Sequence, residues 1–275
     1  MRVLSQVAPA SLKGAIRNLR DYVGMMHAQR AYRKRYGGGF IATIHPADDM
    51  FHYFYQPPKT TRSGAAISYL KSGESMLAAL EKILDDVHRP LPGVRSFLEF
   101  ASGYGRFTRF LVCRASPSAV TVSDLDGAAV AFARRTFSVA GFASTEKASD
   151  LSCGNVYEIV FVASLFSHLG LEHWAPWLRR LRDFLTPGGL LVFSTHGERP
   201  HQVLGRGSKM VAPGFFFEEA NETRGRLRGE YYGTAYAFPA FVERLVSSQS
   251  LGRLAGVYPE GLYDWQDVYV IEAPG

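Results

Sequence analysis

Phe97-Leu98-Glu99-Phe100-Ala101-Ser102-Gly103-Tyr104-Gly105-Arg106 is the stretch that decides the fold. An apolar run of strand length enters a loop of small residues, and a helical pattern begins at Arg106. Two glycines let the backbone come close to a ligand, and the first N–H groups of the helix point at it. A dinucleotide fold would want a third glycine at Thr108, which is absent. Glu99 narrows the choice further, because a carboxylate at the strand end repels a pyrophosphate but suits a cationic amino-acid head group.

Working outward, strand-like runs occur at Val94–Phe100, Ala119–Asp124, Phe142–Lys147, Val156–Ser164 and Leu190–Thr195, with helix-like runs between them at Ala128–Val139 and His173–Leu185. Strands alternating with helices predict right-handed crossovers and a mostly parallel sheet covered on both faces. Ligands of such sheets bind beyond the carboxyl ends of the strands. The second strand ends in Asp124, 25 positions after Glu99, where an acid can accept both hydroxyls of a ribose. Asp150 and Leu151 follow the third strand, a place suited to an adenine edge. Asp124 and Glu99 could instead cap helices, and Asp150 could be an Asx-turn residue.

The sequence resembles the class I S-adenosylmethionine-dependent methyltransferases from Val94 to Gly197, and more loosely to the C-terminus. FLEFASGYGRF is similar to the first motif of that family, VTVSDLD to its ribose-binding acid, YEIVFVASLFSHL to its fourth strand and following loop, and LTPGGLLVFSTHG to its next helix-turn-strand. The resemblance implies an α/β fold: a Rossmann-like, mostly parallel, seven-stranded sheet with a reversed last strand at Val268–Glu272, preceded by a helical N-terminal segment. It implies S-adenosyl-L-methionine as cofactor, held by Glu99, Ala101, Ser102, Gly103, Gly105, Asp124, Leu125, Asp150, Leu151 and Ser164. Within that set Glu99, Gly103 and Gly105 face the methionine portion, Asp124 the ribose, and Asp150 with Leu151 the adenine. Two positions depart from the family: alanine stands at 101 where glycine is usual, which predicts a slightly displaced loop, and Glu158 replaces an early aspartate of the fourth strand.

A sulfonium donor is already activated, so an enzyme using it mainly aligns acceptor, methyl and sulfur. A hydroxyl acceptor gains further from a general base, and histidine suits neutral pH. His168, after the fourth strand, and His196, at the end of the fifth, both lie on the expected active face, and each could equally serve a structural role. Tyr231, Tyr232 and Tyr236 are candidates for the acceptor pocket or for aromatic packing. No metal is expected: His168 and His173 are five apart and share no helix face, and no H-E-x-x-H occurs.

The 275 residues carry 31 Lys and Arg against 25 Asp and Glu, a net of +6 that suggests an acidic partner. Residues 1–36 alone hold eight basic groups and one acid, leaving 23 basic and 24 acidic groups elsewhere. Large polyanions are therefore poor acceptor candidates, nucleic acid included, because the body of the chain is nearly neutral. The loop after the fourth strand reads Ala-Ser-Leu-Phe, without the N/D-P-P-Y/F of amino-methylating nucleic-acid enzymes or the aspartate of metal-dependent catechol-type members. The expected acceptor is a small molecule or glycan. Residues 1–36 read as a basic amphipathic helix, either a solvated arm or a peripheral contact with an anionic membrane. Residues 37–92 read as a helical cap or lid, and 93–275 as the methyltransferase domain, with the insert 198–235 near the acceptor. Cys113 and Cys153 suit reduced thiols and a cytoplasmic setting, and neither a signal peptide nor a membrane span is expected. A cofactor-binding sensor without turnover, or a nicotinamide oxidoreductase, are the competing function classes.

Overall fold

The computed structural model describes residues 10–219 and 232–275, with side chains from residue 18 onward; Tyr231 lies outside the described residues. The chain divides into two compact units, residues 1–74 and 75–275, with the division inside helix α3 (Arg62–Asp86). In the first unit, α1 (Ala10–Tyr36) is followed by α2 (Asp49–Phe54), which Asp48 caps by accepting hydrogen bonds from the Met50 and Phe51 N–H groups. The Tyr69 hydroxyl donates to the other carboxylate oxygen of Asp48 at 2.5 Å and ties α2 to α3. Among the described residues no helix is long and apolar enough to cross a membrane.

The second unit is built on β1 (Phe97–Phe100), β2 (Val120–Asp124), β3 (Ala140–Ala143), β4 (Tyr157–Val162) and β5 (Leu185–His196), parallel in the order β3-β2-β1-β4-β5. Helices α4 (Thr108–Leu111), α5 (Gly127–Phe137) and α6 (Leu171–Arg182) alternate with them. Because β1 and β4 are covered on both faces they are apolar almost throughout, the pattern expected of central parallel strands. After α7 (Glu198–Leu204), β6 (Lys209–Ala212), β7 (Phe215–Glu218), β8 (Thr234–Ala237) and α8 (Pro239–Ser248), the chain returns as β9 (Arg253–Leu262) and the reversed β10 (Gln266–Glu272), which runs antiparallel to β5.

Five parallel strands plus β10 and β9 make the seven expected, and the insert adds three, so the sheet has ten strands. The extra antiparallel strands β6, β7 and β8 join it through one pair, His196↔Tyr236. His196 also pairs with Gln266 of β10, so β8 lies on the side of β5 that β4 occupies lower down. The insert therefore sits beyond the carboxyl end of β4, beside the loop that carries His168. A bridge between Leu169 and Tyr232 and a hydrogen bond from Gly233 N–H to the His168 carbonyl (2.8 Å) fix it there.

Candidate active site

The site forms where β1, β2, β4 and β5 end. Glu99 is buried, and the Thr108 hydroxyl donates to it at 2.6 Å. Burial is the main cause that lifts its carboxyl from the ordinary 4.5 to about 8; Thr108 and the cations Arg106 and Arg109 pull it down, while Asp124 pushes it up. A cation brought against such a buried acid restores its ionised form, at the cost of displacing its proton below about pH 8. Glu99 also helps to line a small cleft with Ala101, Ser102 and Arg106, and the buried Ser102 hydroxyl lacks a hydrogen-bond partner within the protein. These two groups fit an amino-acid ammonium and carboxylate, the head group of the donor that the family resemblance implies.

Asp124 meets the same loop from β2. Its carboxylate accepts the N–H groups of Gly103 (2.7 Å) and Asp126 (2.9 Å), which orients it at the end of β2. The cap of α5 is Asp126, whose side chain accepts from Ala128 N–H, so neither Asp124 nor Glu99 is a helix-capping acid. Leu125, next in sequence, is an exposed apolar side chain at the rim. Asp150 is exposed and accepts from the Ser149 hydroxyl at 2.8 Å, whereas Leu151 is buried in the core. An adenine would meet Asp150 or the Leu151 backbone rather than the Leu151 side chain.

The two glycines divide the work expected of both. Gly103 has φ +55° and open space where a side chain would be, so it can admit a ligand. Gly105 has φ +78°, and a Cβ there would lie 2.3 Å from the ring of Phe137, so it serves the packing of α5. Ala101 takes φ +58°, keeping a left-handed conformation that costs an alanine about 1 to 2 kcal/mol. Buried Arg109 clamps the turn from below by donating to the Gly105 carbonyl (2.8 Å) and the Tyr104 carbonyl (3.4 Å).

Ser164 also holds positive φ, at +63°. Its N–H donates to Ser194 Oγ (2.8 Å), and both serine hydroxyls donate to Gln266 Oε1, at 3.0 and 2.7 Å. This network sets the course of the loop that leads to His168. His168 Nδ1 donates to the Gly233 carbonyl at 3.0 Å, which leaves the imidazole lone pair on Nε2. Its ring stacks on Tyr232 at 4.7 Å and meets the His196 ring edge-on at 6.3 Å. Burial first, then the neighbouring His168, lowers His196 to about 4, so its ring is neutral at physiological pH. Tyr236 lies 5.6 Å from His196 and 5.3 Å from His201. The structure thus brings both histidines together with two of the three tyrosines.

Sequence reasoning assigned no role to Thr108, Arg109, Ser194, Gln266 or Asp267. Asp267 explains Gly197, the residue after His196: a Cβ on Gly197 would lie 1.9 Å from Asp267 Oδ2. Asp267 is held in place by the Glu260 N–H at 2.9 Å. Gly197→Ala is therefore expected to lower stability by about 1 to 3 kcal/mol, seen in thermal melts. Adding Asp267→Ala should return part of that loss, and additive losses would exclude the clash as its cause.

Residues 98–191 match the family model described as a methyltransferase domain. Over that span, about a third of its length, the chain is similar to a methyltransferase domain. No curated protein matches it in sequence. Among solved structures, the chain resembles Streptomyces venezuelae DesVI at TM-score 0.55 and 16% identity, covering 85% of this chain and 100% of that one. It is also similar to an S-adenosylmethionine-dependent methyltransferase from Clostridium acetobutylicum (TM-score 0.52, 12% identity, 74% and 92% covered). Magnesium protoporphyrin IX methyltransferase from Synechocystis, solved with S-adenosylhomocysteine bound, gives TM-score 0.52 at 15% identity, with 82% and 93% covered. At such identities the likeness is one of fold.

Proposed function

We propose that the chain transfers a methyl group from S-adenosylmethionine to a hydroxyl of a small or medium-sized acceptor, such as a sugar, a polysaccharide precursor or a secondary metabolite. The observation that carries this reading is the pair of carboxyl groups on either side of Gly103. Glu99 is buried in a cleft shared with Ser102, whose hydroxyl has no partner within the protein, and Asp124 is fixed by the Gly103 N–H at the end of the neighbouring strand, in place for a ribose diol. When bound, the cofactor supplies a methyl group on a positively charged sulfur. The protein's part is to hold that group and to place an oxygen in line with it, a contribution of about 7 to 11 kcal/mol in well-oriented systems.

For the proton of the acceptor hydroxyl, His168 is favoured over His196. Its Nδ1–H is fixed on the Gly233 carbonyl, so Nε2 is the nitrogen with basic character. His196, lowered to about 4, is too weak a base for a matched transfer near neutral pH. Its role is to support the His168 and Tyr236 rings. The insert strands β7 and β8, with Phe216 and Tyr236, would form the acceptor's wall.

A metabolite extract incubated with methyl-labelled S-adenosylmethionine and the protein should yield a labelled, base-stable ether product. S-adenosylhomocysteine should raise the melting temperature and NAD should not. Cofactor binding with no labelled product from a broad acceptor panel would overturn the enzymatic reading in favour of a binding protein. Stabilisation by NAD alone would overturn the cofactor.

A further inference from the structure

Helix α1 has two different faces. One packs within its own unit: Asp21 accepts the N–H groups of Arg62 (2.8 Å) and Ser63 (3.1 Å), and Tyr32 and Tyr36 donate to Glu74. A side chain on Gly24 would come to 3.0 Å from Ser63 Cβ, and Ala28 is buried on the same side. The opposite face carries Leu19, Tyr22, Val23 and Met26, which are 64%, 50%, 41% and 52% exposed. Their spacing of three, four and three makes one stripe. Continued along the helix, the stripe reaches Arg30, Arg33 and Lys34, all exposed, with Arg20 and His27 beside it. The one acid of this segment, Asp21, is committed to the packed face.

We propose that this outward face of α1 docks on an anionic lipid bilayer, with the helix lying in the interface plane. Tyr22, Val23 and the long side chains of Leu19 and Met26 would enter the boundary between headgroups and acyl chains, and the cations would meet lipid phosphates and carboxylates. Charge complementarity selects this occupant. A second copy of the chain would bring one cationic face against another, and a nucleic acid would satisfy the arginines but leave four apolar side chains unused. None of these residues takes part in the proposed reaction, so the inference stands independently of it.

The test uses the full chain in co-sedimentation with vesicles of phosphatidylcholine alone or with 30% phosphatidylserine, in low and high salt. Binding at least tenfold stronger to the anionic vesicles, weakened by salt, is expected. Leu19→Asp with Met26→Asp should abolish it, as should Arg30→Gln with Arg33→Gln and Lys34→Gln, while melting curves stay as in the parent. Equal partitioning to both vesicle types, or binding that survives both variants, would overturn the proposal. So would a dimer in sedimentation velocity that Met26→Asp dissociates, or RNA binding at the same face with no vesicle binding.

Discussion

Glu99→Gln is expected to weaken S-adenosylmethionine binding by roughly 30- to 700-fold at pH 8, which corresponds to about 2 to 4 kcal/mol for removing one charge of a buried pair. The pH dependence separates this from a structural effect. With its carboxyl titrating at about 8 in the free protein, Glu99 is protonated at pH 6, and an incoming ammonium must displace that proton. Affinity in the parent protein should therefore rise about tenfold from pH 6 to 7, more slowly toward pH 8, and then turn over as the ligand's own ammonium loses its proton. In the glutamine variant the slope should vanish. Stability moves the other way: folding favours the protonated acid, so its contribution is full below the ordinary 4.5 and is lost as pH rises through about 8. Without cofactor, the variant should equal the parent near pH 5 and melt higher at pH 8. Calorimetric titration from pH 6 to 8.5, with melts alongside, checks both. A steep slope kept in the variant would remove Glu99 from the head-group site.

Much of the candidate site could be read from one β-strand and its loop because the residues proposed for it carry chemistry that their type and place reveal. Glu99 and Asp124 stand at strand ends, where an acid has few structural reasons to be. The residues that hold them in place gave no such signal. Arg109 is a buried arginine inside an apolar helix sequence, and its purpose appears only when the carbonyls of Tyr104 and Gly105 turn toward it. Gln266 lies 102 residues from Ser164, and only the reversed pairing of β10 with β5 brings them together.

The fold shows the same division. The central strands were plain in the sequence as apolar runs, but β3 forms at Ala140–Ala143 rather than 142–147. It is an edge strand with only Phe142 packed on the core and three small residues around it, so burial enforces little pattern. β5 begins at Leu185 instead of Leu190, because Thr186-Pro187-Gly188-Gly189 is taken into the strand as an irregularity opposite Tyr157 and Ile159. The insert's strands were hidden because each has four residues and gains stability only by pairing with the others.

His168→Gln should lower kcat by about 10² to 10⁴, the range for a lost general base, with cofactor affinity nearly unchanged. Glutamine can still donate to the Gly233 carbonyl and fill much of the space on Tyr232, so a fall in rate would reflect loss of the Nε2 lone pair. His196→Gln should act differently. Its ring is already neutral and takes no proton near pH 7, so the expected loss is less than tenfold and arises from looser packing of His168 and Tyr236. Rescue distinguishes chemistry from geometry: His168→Gly with added imidazole should recover part of the rate, in proportion to the unprotonated imidazole, whereas His196→Gly should not respond. Near-normal rates in both glutamine variants would leave the reaction to alignment alone. A larger loss at His196 than at His168 would transfer the role of base to the residue at the end of β5, and would require the acceptor to lower its own proton affinity before transfer.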